Sequence, residues 1–308
     1  MKKVFIDGSV GTTGLRIVER LSARDDVEIL TLPEEKRKDP TARKEMLNKA
    51  DVAFLCLPDD AARESVALVD NPSTVIIDAS TAHRTLPDWA YGFPELSKGH
   101  EEKLLASKRI AVPGCHASGF IALVYPLIEK GLLDKDALLI CHSITGYSGG
   151  GKKMIADYEN AERSELLGAP RQYGITQQHK HLKEMKAIAG VETAPVFCPI
   201  VSDFYSGMTV TVPLFASQIK GSVDDIKKAY AEKYNGEIVQ YKESVDDGGF
   251  VSGAILSRKD SMLVTVAGNE ERVLLIACYD NLGKGASGAA IECMNMVIGA
   301  EKTKGLEL

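Results

Sequence analysis

The sequence predicts an α/β protein: a doubly wound parallel sheet joined to a second, α+β domain. Three observations carry this. Apolar runs of strand length alternate with helical patterns up to residue 112. A glycine-rich turn, Gly8-Ser-Val-Gly11-Thr-Thr-Gly14, links the first strand directly to the first helix. Beyond residue 130 the pattern changes to strands with one clear helix, as in a mostly antiparallel or mixed sheet. At 308 residues the chain has room for both domains.

Lys3-Val-Phe-Ile-Asp7 reads as the first buried strand, and Leu15, Val18 and Leu21 mark the apolar side of the helix after it. Glycines there permit a tight turn, and the helix N-terminus suits a pyrophosphate, so the start is Rossmann-type. Gly8, Gly11, Thr12, Thr13 and Gly14 are therefore candidate cofactor ligands. The spacing is GxxGxxG rather than the commoner GxGxxG, so its strand–turn–helix context carries the weight. Val27-Glu-Ile-Leu-Thr31 is the second strand. No acidic residue ends it to hold a ribose 2′-hydroxyl. Lys36, Arg37 and Lys38 follow instead and could pair with a 2′-phosphate, which favours NADP(H) over NAD(H). A solvated charged loop is the plain alternative.

Asp39-Pro40 reads as an N-cap and first helical residue. Val52-Ala-Phe-Leu-Cys-Leu57 and Thr74-Val-Ile-Ile-Asp78 are continuous apolar strands of the parallel-sheet kind, with Asp59 or Asp60 expected to cap the helix between them. Arg84 follows the C-terminal end of a parallel strand, where ligands of such sheets bind, and is a candidate carboxylate or phosphate clamp.

The chain then reaches Ile110-Ala-Val-Pro-Gly-Cys115, a strand end broken by Pro113-Gly114, followed by the helical pattern Phe120, Leu123, Val124, Leu127 and Ile128. A cysteine at that junction meets the positive end of a helix dipole, which favours thiolate over thiol. A core thiol is the competing reading, since cysteine often behaves as a small buried hydrophobe. The other five cysteines are dispersed, and no CxxC pair or zinc-like spacing occurs, so neither a disulfide framework nor a metal site is expected.

In the second half, four strands are expected near 138–144, 208–212, 262–267 and 273–278. The clear helix is Val223 to Tyr234, capped by Ser222. His179 and His181 lie two apart, so on an extended segment they share a face and are candidates for proton transfer. Ser148, Gly149 and Gly150 sit in a small-residue loop with a basic pair, suited to an anionic substrate. Asn281 and Gly283, in Asp280-Asn-Leu-Gly-Lys-Gly285, are candidate cofactor contacts through a side-chain amide and exposed backbone amides. A buried helix from about Ala286 to Ile298 packs against the first domain, and 302–308 reads as a polar tail. The expected dinucleotide domain is thus 1–114 with 286–308, and the catalytic domain 115–285.

Net charge is -6, against nucleic acid as a principal partner. No apolar run is long enough to span a bilayer. The start does not read as a secretion signal, so a reducing cytoplasm is the expected compartment.

Gly8…Gly11…Gly14, Asp78-Ala-Ser-Thr-Ala-His-Arg84, Tyr91-Gly-Phe-Pro-Glu-Leu96, Val112-Pro-Gly-Cys115, His179-Lys-His181 and Asp280-Asn-Leu-Gly-Lys-Gly285 occur in this order. In these segments, over nearly its whole length, the chain resembles the N-acetyl-gamma-glutamyl-phosphate reductases, in their shorter, type 2 form. It departs from the longer type after Cys115, where His116-Ala-Ser stands in place of Tyr-Pro-Thr. The resemblance implies a semialdehyde-dehydrogenase-like fold with a substrate and dimerisation domain, a homo-oligomer, and a step of arginine biosynthesis. It also implies NADPH-dependent reduction of an acyl phosphate through a thioester on Cys115, with His181 or His179 moving the proton and inorganic phosphate released. Two other readings fit the same residues. Aspartate-semialdehyde dehydrogenase would use an unacetylated substrate. A non-catalytic NADP-binding sensor would bind cofactor without phosphate-dependent turnover.

Overall fold

A computed structural model describes residues 1–308, which divide into two compact units. The first comprises Met1–Pro94, Lys98–Pro113 and Ala286–Leu306, and the second Glu95–Ser97, Gly114–Gly285 and Glu307–Leu308.

The first unit opens with β1 (Lys2–Asp7), α1 (Thr12–Ser22), β2 (Val27–Leu30), α2 (Pro40–Lys49), β3 (Val52–Leu55) and α3 (Asp59–Ala67). It continues with β4 (Val75–Asp78), β5 (Ala90–Tyr91), α4 (Lys98–Ala106) and β6 (Arg109–Ala111). All pairings are parallel, in the order β2-β1-β3-β4-β6-β5. Alternate residues of each strand feed opposite cores. Val4, Ile6, Val52, Phe54 and Ile77 lie on one side with Ile17 and Leu21 of α1, while Phe5, Ala53, Leu55 and Ile76 lie on the other with Leu47 and Ala62. This explains why these strands read as unbroken apolar runs.

In the second unit come α5 (Cys115–Glu129), β7 (Ile140–Gly146), α6 (Gly151–Glu159), β8 (Arg171–Gln172), α7 (His181–Ala189), β9 (Val196–Ser202) and β10 (Met208–Phe215). They are followed by α8 (Val223–Lys233), β11 (Val239–Tyr241), β12 (Met262–Gly268) and β13 (Arg272–Tyr279). The mixed sheet runs β11-β12-β13-β10-β7-β9-β8. Apolar α5 packs on β10 and β13. Gly119 allows that approach, because a Cβ there would lie 2.7 Å from both the Tyr279 hydroxyl and a Val210 methyl. The opposite sheet face carries Ile140, paired with Val196 across β7 and β9, and Pro213, paired with Leu274 across β10 and β13. Ile140, Val196 and Leu274 are exposed there.

After β13 a π-helical turn, Gly283–Ser287, leads into α9 (Gly288–Ile298), whose Ala289, Ala290, Ile291, Cys293 and Met294 complete the first unit's core.

Four expectations are corrected. Leu15 is exposed, and Ile17 takes its place in the core. Neither Asp59 nor Asp60 caps α3: Pro58 is the N-cap and Asp59 the first helical residue, its carboxylate accepting from the Thr81 amide at 2.9 Å. Helix α6 interrupts the second half; it is short and opens on glycine. The C-terminal segment is docked rather than a free tail. Leu306 packs on the core, and Glu307 donates its amide to the Asp260 carboxylate at 3.0 Å.

Candidate active site

Cys115 is the first residue of α5, after Gly114 in extended conformation at the N-cap. No intrahelical carbonyl is available to the amides of Cys115, His116 and Ala117, because the ladder begins with Ser118 donating to Gly114 at 2.9 Å. Two anchors fix this turn within the second unit. The Gly114 amide donates to the buried Glu184 carboxylate at 2.7 Å. From the sheet, Tyr279 donates its hydroxyl to the Cys115 carbonyl and accepts the Gly119 amide at 3.0 Å.

Aromatic and imidazole rings gather beside it. His116 is buried, with Nδ1 2.7 Å from the Ser143 hydroxyl and Nε2 2.6 Å from the Tyr173 hydroxyl. Burial, and next the proximity of His179, push its pKa down to about 3, so it stays neutral near pH 7. His179 and His181 lie 4.7 Å apart between ring centroids, and each is within 6.0 Å of His116. They meet through a turn rather than an extended segment: the His181 amide, at the start of α7, donates to His179 Nδ1 at 3.2 Å. The Nδ1 of His179 is therefore an acceptor, and its neutral ring carries the proton on Nε2. Burial, then Lys180, lower the His179 pKa. The Tyr173 phenol is pushed up by burial first and then by negative charge on the Cys115 sulfur.

The two glycine patches lock onto each other. Asn281 accepts the Gly207 amide at 2.9 Å and donates to the Ser148 hydroxyl at 3.0 Å. The expectation of exposed amides around Gly283 is corrected. The amides of Leu282 and Gly283 donate to the Asp280 carboxylate at 2.7 and 2.9 Å, and that of Gly285 to the Asp280 carbonyl at 3.0 Å. Gly283 has a packing reason instead, since a Cβ would meet the Lys259 carbonyl oxygen at 1.9 Å. Gly149 and Gly150 are exposed beside buried Ser148.

In the first unit, Gly8 has φ +88°, and a Cβ there would stand 2.3 Å from the Cys56 carbonyl oxygen; one on Gly14 would stand 2.4 Å from the Gly8 carbonyl oxygen. The amides of Thr12, Thr13 and Gly14 open α1 without intrahelical partners, behind Gly11 as N-cap. A cleft of about 830 Å³ is lined by Gly8, the ends of β1 and β2, Arg37 and Lys38. Lys36 lies outside that lining. Arg43, unremarked in the sequence, lines the cleft with its guanidinium 2.9 Å from Asp7. A glycine cradle, unpartnered helix amides and flanking cations fit a phosphorylated dinucleotide. Arg84 is buried and gives two donors to backbone carbonyls, Val112 at 2.8 Å and Ala79 at 3.1 Å. No cluster of three or more His, Cys, Asp or Glu side chains is arranged to hold a metal.

A parallel nucleotide-type sheet joined to a mixed-sheet domain opening on a helix-start cysteine defines a dehydrogenase of the semialdehyde class. Residues 3–104 match the family described as semialdehyde dehydrogenase, NAD binding domain, and 115–281 the semialdehyde dehydrogenase, dimerisation domain. A curated N-acetyl-gamma-glutamyl-phosphate reductase from Brucella ovis is 45% identical, covering 96% of this chain and 99% of its own. N-acetyl-gamma-glutamyl-phosphate reductase 2 of Nostoc is 42% identical, over 99% of each chain. Solved aspartate semialdehyde dehydrogenases share the fold. That of Francisella tularensis is 12% identical at TM-score 0.73, covering 97% of this chain and 100% of its own; one from Vibrio cholerae is 14% identical at 0.70, covering 97% and 98%. The chain belongs to the semialdehyde dehydrogenase family, among its N-acetyl-gamma-glutamyl-phosphate reductases.

Proposed function

We propose that the chain reduces N-acetyl-gamma-glutamyl phosphate to N-acetylglutamate semialdehyde with NADPH, a step of arginine biosynthesis, through a thioester on Cys115. The observation that carries this reading is Cys115 at the first residue of α5, with His179 and His181 clustered around the ring of its neighbour His116.

The Cys115 sulfur attacks the acyl carbon, and the carbon–oxygen bond to phosphate breaks, leaving a thioester and inorganic phosphate. The amides of the first α5 turn, which precede the intrahelical ladder, are the donors suited to the oxyanion formed in that attack. When bound, NADPH supplies the hydride that turns the thioester into aldehyde and returns the thiolate. His181 takes the thiol proton before attack and holds it for release, with His179 beside it. Gly8, Gly11, Thr12, Thr13 and Gly14 hold the pyrophosphate, with Arg37 and Lys38 toward the 2′-phosphate. Ser148, Gly149 and Gly150 are assigned to the anionic substrate; Arg84, in the first unit, is assigned as a carboxylate or phosphate clamp.

The partner surface we assign is a second copy, on the sheet face of Ile140, Val196 and Leu274; its support is their exposure and the family description of 115–281 as a dimerisation domain. No helix is long and apolar enough to cross a membrane; the compartment we assign is the cytoplasm.

The test is order of release. Enzyme mixed with N-acetyl-gamma-glutamyl phosphate and no NADPH is expected to release a burst of phosphate close to one per site. An N-acetylglutamyl adduct forms on Cys115, and NADPH discharges it as aldehyde. Cys115→Ser loses the burst. Hydride consumption without a prior burst, or near-native turnover of Cys115→Ser, overturns the thioester. Faster phosphate-dependent turnover of aspartate semialdehyde than of N-acetylglutamate semialdehyde overturns the substrate.

A further inference from the structure

On the outer edge of the second sheet, the β8–β9 ladder ends early and is finished by a side chain. Arg171 and Gln172 pair with Val201 and Ile200, and the Tyr173 amide donates to the Pro199 carbonyl at 3.0 Å. There the main chain leaves the sheet through Gly174, at φ +63°. Two positions further along β9, Phe197 still presents an amide and a carbonyl to the vacated edge. Gln177 fills it. Its Oε1 accepts the Phe197 amide at 2.9 Å, and its Nε2 donates to the Phe197 carbonyl at 2.7 Å. The primary amide thus makes the same two-bond exchange as a residue of a paired strand.

Gln177 makes this rung from a strained backbone. Its φ is +56°, in the left-handed region, one of two non-glycine residues of the chain at positive φ. The turn is closed by its own amide donating to the Gly174 carbonyl at 3.0 Å. Strain of this kind persists only where surroundings over-determine it, and it concentrates at functional sites. What lies next along the chain is the histidine pair. His179 is two residues on and His181 four. The ring of Phe197, whose backbone Gln177 clasps, packs 5.2 Å from the rings of both His179 and His116.

We propose that Gln177 is a positioning residue for the histidine pair: its side-chain amide substitutes for the missing strand residue opposite Phe197 and so fixes where His179 and His181 stand. Gln177 itself touches no reacting atom. The loop it holds carries the candidate proton carriers, and the anchor sits at its root. For the catalytic consequence the proposal rests on the acid/base reading of the two histidines given above; for the positioning it does not.

The experiment separates those two. Gln177→Gly relieves the left-handed φ and removes the amide, and Gln177→Met keeps the length and the strain without hydrogen bonding. Histidine imidazole ¹⁵N NMR of the full-length enzyme, assigned with His179→Gln and His181→Gln, reads the positions without any turnover. In both Gln177 variants the His179 and His181 signals are expected to shift and broaden, while those of His83 and His142 stay in place. With the acyl phosphate, kcat is expected to fall about 10- to 100-fold and its pH profile to move, with the KM for NADPH unchanged. Shifted imidazoles with unaltered kcat and pH profile uphold the positioning and overturn the acid/base reading instead. Unmoved His179 and His181 signals in a folded Gln177→Gly overturn the proposal, whatever the rate. If Gln177→Gly does not fold, Gln177→Asn, which tolerates the left-handed backbone but is one methylene short, takes its place with the same two outcomes.

Discussion

Glu184 accepts the Gly114 amide at 2.7 Å, joining α7 to the turn immediately before Cys115. His181, one helical turn earlier on α7, is thereby tied to the helix that presents the thiol, so one carboxylate sets the spacing of nucleophile and candidate base. Glu184→Ala leaves a buried amide without its acceptor, which costs about 1–3 kcal/mol, and frees the α5 start. The phosphate burst is expected to slow about 10- to 100-fold, whereas Glu184→Gln, with a carbonyl oxygen in the same place, keeps most of it. Stopped-flow phosphate release checks this. Equal losses in the two variants would assign the effect to the charge rather than the bond.

Among the cysteines, burial sets the reactivity contrast. It pushes the Cys56 thiol up to about 12 and that of Cys278 to about 11, and it raises Cys141 as well. Those thiols stay protonated at neutral pH. Cys115 sits at a helix start, where the dipole favours thiolate. Brief iodoacetamide treatment near neutral pH followed by peptide mapping is expected to find Cys115 labelled first. Labelling led by Cys56 or Cys278 would count against Cys115 as the nucleophile.

The first unit was legible because its signals are local. Strand, glycine turn and helix follow within some twenty residues, and double-sided burial leaves unbroken apolar runs such as Val52 to Leu55. Cys115 could be singled out for the same reason, from Pro113-Gly114 before it and an apolar helix after it. What escaped are contacts made across long stretches of chain. Glu184 reaches Gly114 over 70 residues and Tyr173 reaches His116 over 57, and neither has a periodicity that announces it. The docking of Glu307 on Asp260 was equally invisible, because a charged C-terminal segment reads as solvated unless its partner is known. Around Asn281 the sequence drew attention to the correct segment and misread its use, since Asp280 consumes the amides that looked available.

His116 makes stability sensitive to acid. An unfolded chain holds this imidazole near its ordinary 6.5, whereas the folded one pushes it to about 3. Below 6.5 the unfolded state binds the proton and the native state does not, so stability present above that pH is lost as pH falls toward 3. By about pH 5 the loss from this group is about 2 kcal/mol. Urea midpoints measured near pH 7.5 and about pH 5 should therefore separate more for the wild type than for His116→Gln, which cannot titrate. The same separation in both proteins would show that other groups carry the acid sensitivity.

Cofactor choice should follow the cations beside the first unit's cleft. No acid ends β2, and Arg37 and Lys38 line the cleft whereas Lys36 does not. Both cations are exposed, and Arg37 stands 3.9 Å from Glu34, a loose surface pair that a dianionic 2′-phosphate can outcompete. NADPH is thus expected to be preferred over NADH. Arg37→Ala with Lys38→Ala should raise the KM for NADPH about tenfold with kcat nearly unchanged, as expected when binding is lost equally from ground and transition states. NADH carries no 2′-phosphate, so its KM should barely move, and the ratio between the two cofactors should collapse. Added salt should mimic the double variant in the wild type, raising the NADPH KM by screening exposed charges. Lys36→Ala is expected to do less than either neighbour. Steady-state kinetics with both cofactors decides it: a double variant that keeps the wild-type NADPH-to-NADH ratio would move the 2′-phosphate contact away from this loop, leaving Arg43, the buried cation of the same cleft, as the next residue to change.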